Sequence, residues 1–253
     1  MTPDEYVRSI ISQHSLPLTP DLGMATAKFA IEPIIKEWAA QYLVAFDYSG
    51  SIAKGTGVKG TTDVDFFISL HPTTPQPLGE IYENLCKFLV SKGYVVRKQN
   101  VSVGTTVNGL SVDLVPGKKQ SAYSSDHSLY RRKANTWTQT NVATHIRTVS
   151  QSQRLDEIRA IKIWRKLHNL DFPSFYLEMT VINALSGKWT GQPSANVWEV
   201  FTYLSKSFVN AVVIDPANSN NRLSDDLTTS EKTLVANAAS NALKAANWNQ
   251  IIW

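Results

Sequence analysis

Three aspartates stand in otherwise apolar surroundings. Asp63 and Asp65 open the run Asp63-Val64-Asp65-Phe66-Phe67-Ile68-Ser69-Leu70, and Asp113 lies within Leu110-Ser111-Val112-Asp113-Leu114-Val115. Residues i and i+2 of a strand face the same side, ~6.5–7 Å apart along the chain. Asp63 and Asp65 therefore set two carboxylates side by side. Like charges at that spacing repel unless a cation sits between them. Asp113, on a second strand beside the first, would complete a three-carboxylate cluster. Such a cluster suits two Mg2+ ions ~3.5–4 Å apart, which clamp the attacking and leaving oxygens of phosphoryl transfer. Taken singly, Asp63 and Asp65 also fit a solvated strand end, and Asp113 an edge-strand charge.

The other residue types leave the same vacancy. The chain of 253 residues has one cysteine, Cys86, which excludes an intramolecular disulfide framework and a multi-cysteine zinc site. Its five histidines (His14, His71, His127, His145 and His168) include no pair three to five residues apart. A metal here would be a hard cation held by oxygen. Upstream lies Tyr48-Ser49-Gly50-Ser51-Ile52-Ala53-Lys54-Gly55-Thr56. Gly50 permits a sharp turn and a close backbone approach. Ser51 can begin a short helix whose free amides and hydroxyl suit a phosphate, and Lys54 follows within one turn. Alone, a Gly-Ser turn is more often only a turn.

Charge is unevenly spread. The net charge is +4, and charged residues are 18% of the chain. Residues 1–125 carry 11 basic and 11 acidic side chains, whereas residues 126–253 carry 14 and 10. Between 131 and 166 there are nine basic residues against Asp156 and Glu157. Arg159, Lys162 and Lys166 are spaced i, i+3, i+7 and share one helix face. Such a stripe is either a solvated basic surface or the site of an anion, for which a triphosphate is a natural candidate.

Elements must position these groups. Helices are expected over 3–15 and 20–41. The second is capped by Asp21 or Thr19, shows an apolar face that includes Phe29, Ile35 and Trp38, and is kinked or broken by Pro33. Strands are expected at 42–48 and 63–70. A helix over 78–92 ends at Gly93. Strands at 94–98, 101–107 and 110–115 follow, the last two joined by Asn108-Gly109. Beyond them the pattern is almost wholly helical, at 141–149, 153–169, 174–186, 195–208 and 228–246. The expected class is α+β, a mixed or antiparallel sheet with helices, followed by an α-helical lobe. The expected division is 1–125 and 126–253. Hydrophobic residues at 43% suffice for a core. The start lacks the layout of a signal peptide, and no apolar run reaches the ~20 residues of a membrane span, so a cytoplasmic protein is expected.

Gly50-Ser51, Asp63-Val64-Asp65 and Asp113 together resemble the active-site signature of the DNA polymerase β-like nucleotidyltransferase superfamily. Lys54-Gly55-Thr56 and Gly60-Thr61-Thr62-Asp63 resemble the branch of 2′-5′ oligoadenylate synthetase, CCA-adding enzymes and cyclic GMP–AMP synthase-like enzymes (CD-NTases). The stretch from Asn108 through Asp113 to Pro116 is similar to their third-carboxylate strand. The resemblance implies a polymerase β-like palm and a helical lobe. It implies catalysis by Asp63, Asp65 and Asp113, which would hold two Mg2+ ions, with Mn2+ able to substitute. It implies NTP substrates, ATP or GTP foremost, bound by Gly50, Ser51, Lys54, Arg159, Lys162, Lys166, Ser174 and Phe175. Of these, Lys162 matches a triphosphate-binding lysine. Ser174-Phe175 matches a phosphate-touching serine and a base-stacking aromatic, although Phe175 and Tyr176 equally fit core packing. Asp215-Pro216 through Asn221 resembles a structural loop of the family. The activity implied is template-independent joining of NTPs into a cyclic or short oligonucleotide messenger, with release of pyrophosphate, in bacterial antiphage signalling. A regulatory protein partner is compatible with this. Alternatives are addition to an RNA end, which would bring tRNA as partner, transfer to a small acceptor, and a nucleotide-binding module without turnover. The sequence shows no His/Cys zinc insertion like that of animal cyclic GMP–AMP synthase, and no tRNA-binding tail domain is expected.

Overall fold

The structure, a computed structural model, describes residues 1–60 and 63–253. Its helices are α1 (Pro3–His14), α2 (Leu22–Ala39), α3 (Gly50–Lys54), α4 (Leu78–Ser91), α5 (Val142–Ser150), α6 (Leu155–Leu167), α7 (Ser174–Ala184), α8 (Pro193–Lys206) and α9 (Thr229–Ala242). Its strands are β1 (Leu43–Tyr48), β2 (Val64–Leu70), β3 (Arg97–Lys98), β4 (Val103–Val107), β5 (Leu110–Lys119), β6 (His127–Arg131), β7 (Thr136–Thr140), β8 (Ile214–Asp215) and β9 (Asn218–Arg222). Two compact units form. One comprises Pro17–Lys54 and Thr62–Ile146, and the other Met1–Leu16, Gly55–Thr61 and Arg147–Trp253.

The first unit is built on a mixed sheet in the order β1-β2-β5-β4-β3, with β6 added to β5 and β7 to β6. β2 pairs antiparallel with β1 and parallel with β5. Its near-continuous apolar run is what a strand covered on both faces requires, and Phe66, Ile68 and Leu70 are fully enclosed. α2 and α4 pack on the sheet. Asp21 caps α2, its carboxylate accepting from Met24 N at 2.9 Å. α2 runs through Pro33 without ending there, so the expected break is absent. Pro33 is exposed, and its missing N–H costs one helical bond rather than the element. Phe29 also departs from expectation. It is 81% exposed, whereas Ile31 and Ile35 face the core. The hairpin between β4 and β5 turns at Asn108 and Gly109, both at positive φ, as a tight two-residue connection demands.

The expected boundary at 125 falls inside this sheet. The second half of β5 turns from β4 to β6, with Gly117 opposite Leu129 and Lys119 opposite His127. The β6–β7 hairpin, His127-Ser-Leu-Tyr-Arg131 and Thr136-Trp-Thr-Gln-Thr140, is polar and gives little apolar alternation from which to expect it.

The second unit is helical, and α1 belongs to it. Val7, Ile10 and Ile11 of α1 share a core with Ile161 and Trp164 of α6 and Val200 and Phe201 of α8. α1 therefore packs far from its neighbours in sequence, which corrects its expected place in the N-terminal domain. Thr2 caps it through a capping box with Glu5. The segment after Lys54 also folds here. Leu16 N donates to Gly57 O at 3.0 Å and Lys59 N to His14 O at 2.7 Å. Among the described residues, no helix is long and apolar enough to cross a membrane.

Candidate active site

The register of β2 on β5 sets Asp65 directly beside Asp113. Neighbouring strands lie ~4.8 Å apart, so the two carboxylates on one face are adjacent. β5 is flanked by both β2 and β4 at this point, so Asp113 is not an edge-strand charge. Asp63 is exposed and lies one residue before β2. It is near enough for its charge to act on Asp113. The carboxyl of Asp113 is pushed above the usual carboxylate range by burial first and by Asp63 next, against hydrogen bonding from Ser102 and Gln99 and the charge of Arg97.

Gly50 sits against this pair. Ser49 N donates to Asp65 O at 2.8 Å, which fastens the turn to β2. Gly50 has φ +55, and a Cβ there would lie 1.8 Å from Asp65 Oδ2. Both the backbone angle and the space admit only glycine. α3 follows at once, carrying Ser51, and ends at Lys54, which is buried.

Sequence reasoning missed what holds Asp113. Gln99 Nε2 donates to Asp113 Oδ1 at 2.8 Å. The Ser102 hydroxyl donates to Gln99 Oε1 at 2.8 Å and lies 3.3 Å from Asp113 Oδ2. The backbone carbonyl of Gln99 in turn accepts from Tyr82 Oη at 2.9 Å and from Arg132 Nε at 3.0 Å. Gly104 is the register partner of Asp113 on β4, and a Cβ there would crowd both Asp113 Oδ1 and Gln99 Nε2 at 3.0 Å. A lone glycine inside a strand signals close approach, so Gly104 was the one readable hint.

The helical unit holds the basic stripe, and its partners differ from those expected. Lys162 is 2% exposed. Its ammonium lies 2.6 Å from Glu178 Oε1 and 2.9 Å from Thr56 Oγ1. Thr56 also donates to Glu178 Oε1 at 2.6 Å. Arg159 Nε donates to Gly55 O at 2.9 Å, and Lys166 Nζ to Lys59 O at 3.0 Å. Three cations on one face thus grip three points of the segment 55–59, and within the chain Lys162 meets Glu178 while Arg159 lies 3.7 Å from Asp156. The stripe therefore has partners within the chain, backbone carbonyls, the Thr56 hydroxyl and the carboxylates of Glu178 and Asp156. Lys166 is exposed. Ser174 opens α7 and its Oγ accepts from Arg165 Nη1 at 3.1 Å. Phe175 is half-buried and packs on the helical core, while Tyr176 is fully enclosed.

The donor set in the sheet unit suits a hard divalent cation, because it is carboxylate only and its buried member is destabilised by a neighbouring negative charge. Among the described residues, no group of three or more His, Cys, Asp or Glu side chains is gathered closely enough to form a preformed metal cage. Thr61 and Thr62, expected to belong to the motif that ends at Asp63, lie outside the described residues.

No family model matches the sequence, and no curated protein matches it. Solved structures do match. CdnC of E. coli MS115-1, in a complex with HORMA-deltaN, is similar with a TM-score of 0.75 and 19% identity, over 95% of this chain and 90% of that one. The Bradyrhizobium diazoefficiens CD-NTase CdnG in complex with GTP gives 0.78 and 14%, over 99% and 93%. The Cid1 poly(U) polymerase bound to MgATP gives 0.67 and 10%, over 95% and 93%. The chain shares its fold with these proteins, an α+β fold with a mixed sheet.

Proposed function

We propose that the protein is a metal-dependent, template-independent nucleotidyltransferase that joins NTPs into a cyclic or short oligonucleotide and releases pyrophosphate. The observation that carries this is the Asp65–Asp113 pair on adjacent parallel strands, with Gly50 closed against Asp65 and Asp113 braced by Gln99. Asp63, Asp65 and Asp113 would hold Mg2+. When bound, the metal supplies charge stabilisation to the attacking and leaving oxygens of an in-line displacement. The chain's own groups do the rest. Asp113 would accept the proton of an attacking ribose hydroxyl, a role that its bracing by Gln99 supports. The Gly50-Ser51 turn offers backbone donors and a hydroxyl to phosphate oxygens, with Lys54 four residues on.

In the helical unit, Lys166, Arg159, Ser174 and Phe175 keep the nucleotide contacts that the resemblance implies. For Lys162 the buried pair with Glu178 supports a structural part first. ATP and GTP are the substrates of choice, since CdnG was solved with GTP and CdnC with ATP. The complex of CdnC with HORMA-deltaN supports a regulatory protein partner, and the resemblance implies a signal that would serve antiphage defence in the cytoplasm. A second reading, addition of nucleotides to an RNA end, draws on the likeness to Cid1.

The deciding experiment incubates the protein with all four NTPs and Mg2+ or Mn2+, without nucleic acid, and identifies products by mass spectrometry. A cyclic or short oligonucleotide is expected. Product only when RNA is supplied would select the second reading. Asp65→Asn should abolish pyrophosphate release while leaving the melting temperature near that of the wild type, and an unchanged rate would overturn the assignment.

A further inference from the structure

The sheet unit contains a cavity of about 540 Å³ that includes none of the three aspartates. It lies where α2 ends, between that helix and α4, and Leu70 at the end of β2 is part of its wall. Asp65 is five residues back along the same strand, so the cavity and the carboxylates are ~17 Å apart along β2. Its volume falls within the ~300–1,000 Å³ range of small-molecule sites.

The lining has a definite chemistry. Trp38, Tyr42 and Phe88 supply aromatic surface. Gln76 and Asn84 supply side-chain amides, each both donor and acceptor. Lys87 supplies one cation, and no Asp or Glu is part of the wall. Among the described residues, neither the Lys87 ammonium nor the amides of Gln76 and Asn84 has a hydrogen-bond or ion-pair partner. The one acid close by in sequence on α2, Glu37, is taken by Lys92 at 2.7 Å. The backbone adds a further sign. Ala40, also in the wall, has φ 46 and ψ −129, a conformation that costs ~1–3 kcal/mol for a residue with a Cβ and that clusters at ligand sites.

We propose that this cavity binds a planar nitrogen heterocycle carrying one anionic group, a phosphate or a carboxylate. Flat aromatic walls favour a ring by stacking. Two amides can pair with the donors and acceptors of a heterocycle's edge. Lys87 is exposed, and the acid one turn away on α4, Glu83, is engaged by Lys98, so the Lys87 ammonium is open to an anion through a charge-assisted hydrogen bond. Asn84 is likewise exposed and Gln76 is partly buried, so an occupant meets these groups at the rim of the cavity, where a purely aliphatic one would make no use of them. The proposal is independent of the catalytic reading, because no residue is shared between the two.

The test reads the cavity directly. The protein is labelled with 5-fluorotryptophan, and the Trp38 fluorine resonance is assigned by its loss in Trp38→Phe. Probes are AMP, quinoline-2-carboxylate, uncharged quinoline and inorganic phosphate. Saturable movement of the Trp38 resonance is expected with AMP or with quinoline-2-carboxylate. Lys87→Ala should weaken that binding about tenfold, the range of a charge-assisted hydrogen bond. Asp65→Asn should leave it within about twofold, which separates this site from nucleotide bound at the aspartates. Response to AMP alone assigns phosphate, and response to quinoline-2-carboxylate alone assigns carboxylate. No movement with either probe, equal affinity in Lys87→Ala, or equal binding of quinoline or of phosphate alone would overturn the proposal.

Discussion

Single residues carry the tightest constraints. Gly50 has no room for a Cβ, because Asp65 Oδ2 would stand 1.8 Å from it. Gly50→Ala must therefore displace Asp65 or open the turn that Ser49 fastens to β2. The expected result is a fall in turnover of at least about 100-fold, in the range of a misplaced catalytic group, with secondary structure by circular dichroism retained. A second residue acts on stability alone. His127 is buried, accepts at Nε2 from the Ser69 hydroxyl at 2.8 Å and donates from Nδ1 to Ser125 O at 2.9 Å. Burial depresses its pKa below the ordinary 6.5, so the folded ring stays neutral where the unfolded one takes a proton. The unfolded state then binds more protons, and stability falls as pH drops below about 6.5, by at most about 1.4 kcal/mol per pH unit for one group. Denaturant melts of wild type and His127→Gln across pH 7 to 5 should diverge, the variant lacking this part of the slope.

Elements explain what the residues could not. α6 has a basic face because it grips the segment 55–59 and the Glu178 carboxylate of α7, as well as for any part in phosphate binding. Removing one member of a buried ion pair leaves the other uncompensated, which costs ~3–5 kcal/mol, whereas replacing both with apolar side chains is often neutral. Lys162→Ala should thus lower the melting temperature sharply, and Lys162→Met combined with Glu178→Leu should recover most of it. A recovered stability with NTP affinity still reduced in calorimetry would show that Lys162 also serves the nucleotide. Stability and affinity both restored would make it purely structural. The β2–β5 pairing is the other decisive element. Shifting that register by one residue would turn Asp113 to the opposite face from Asp65.

At the scale of the molecule, the chain returns on itself. α1 is the first helix in sequence, yet its apolar face is buried with helices that come more than 140 residues later. Each of Val7, Ile10 and Ile11 contributes up to ~1.5–3 kcal/mol by burial, an upper bound for a chain that is partly compact when unfolded. Deleting residues 1–14 should therefore destabilise the helical unit and raise binding of a hydrophobic dye. The sheet unit, probed by hydrogen exchange in β2 and β5, should keep its protection. Loss of protection in both alike would mean that the two units unfold as one.

The elements themselves were legible in the sequence because their periods are local. β1, β2 and α4 to α9 lie close to where hydrophobic spacing, Gly93 and the Asn108-Gly109 turn put them. The aspartates were legible because charge in an apolar strand is rare unless it is used. The β6–β7 hairpin was not, since its polar strands gain their order from pairing with β5 rather than from their own pattern. Nor were Gln99 and Ser102, ordinary polar residues until the fold of β4 against β5 brings them to Asp113. The sequence alone determined that three carboxylates and a glycine turn exist at strand-compatible spacing. Only the tertiary structure decided that Asp65 and Asp113 are neighbours, that Lys162 is neutralised from within, and that α1 joins the C-terminal helices. Each of these depends on residues far apart in the chain, and their contact is set by packing that no local period encodes.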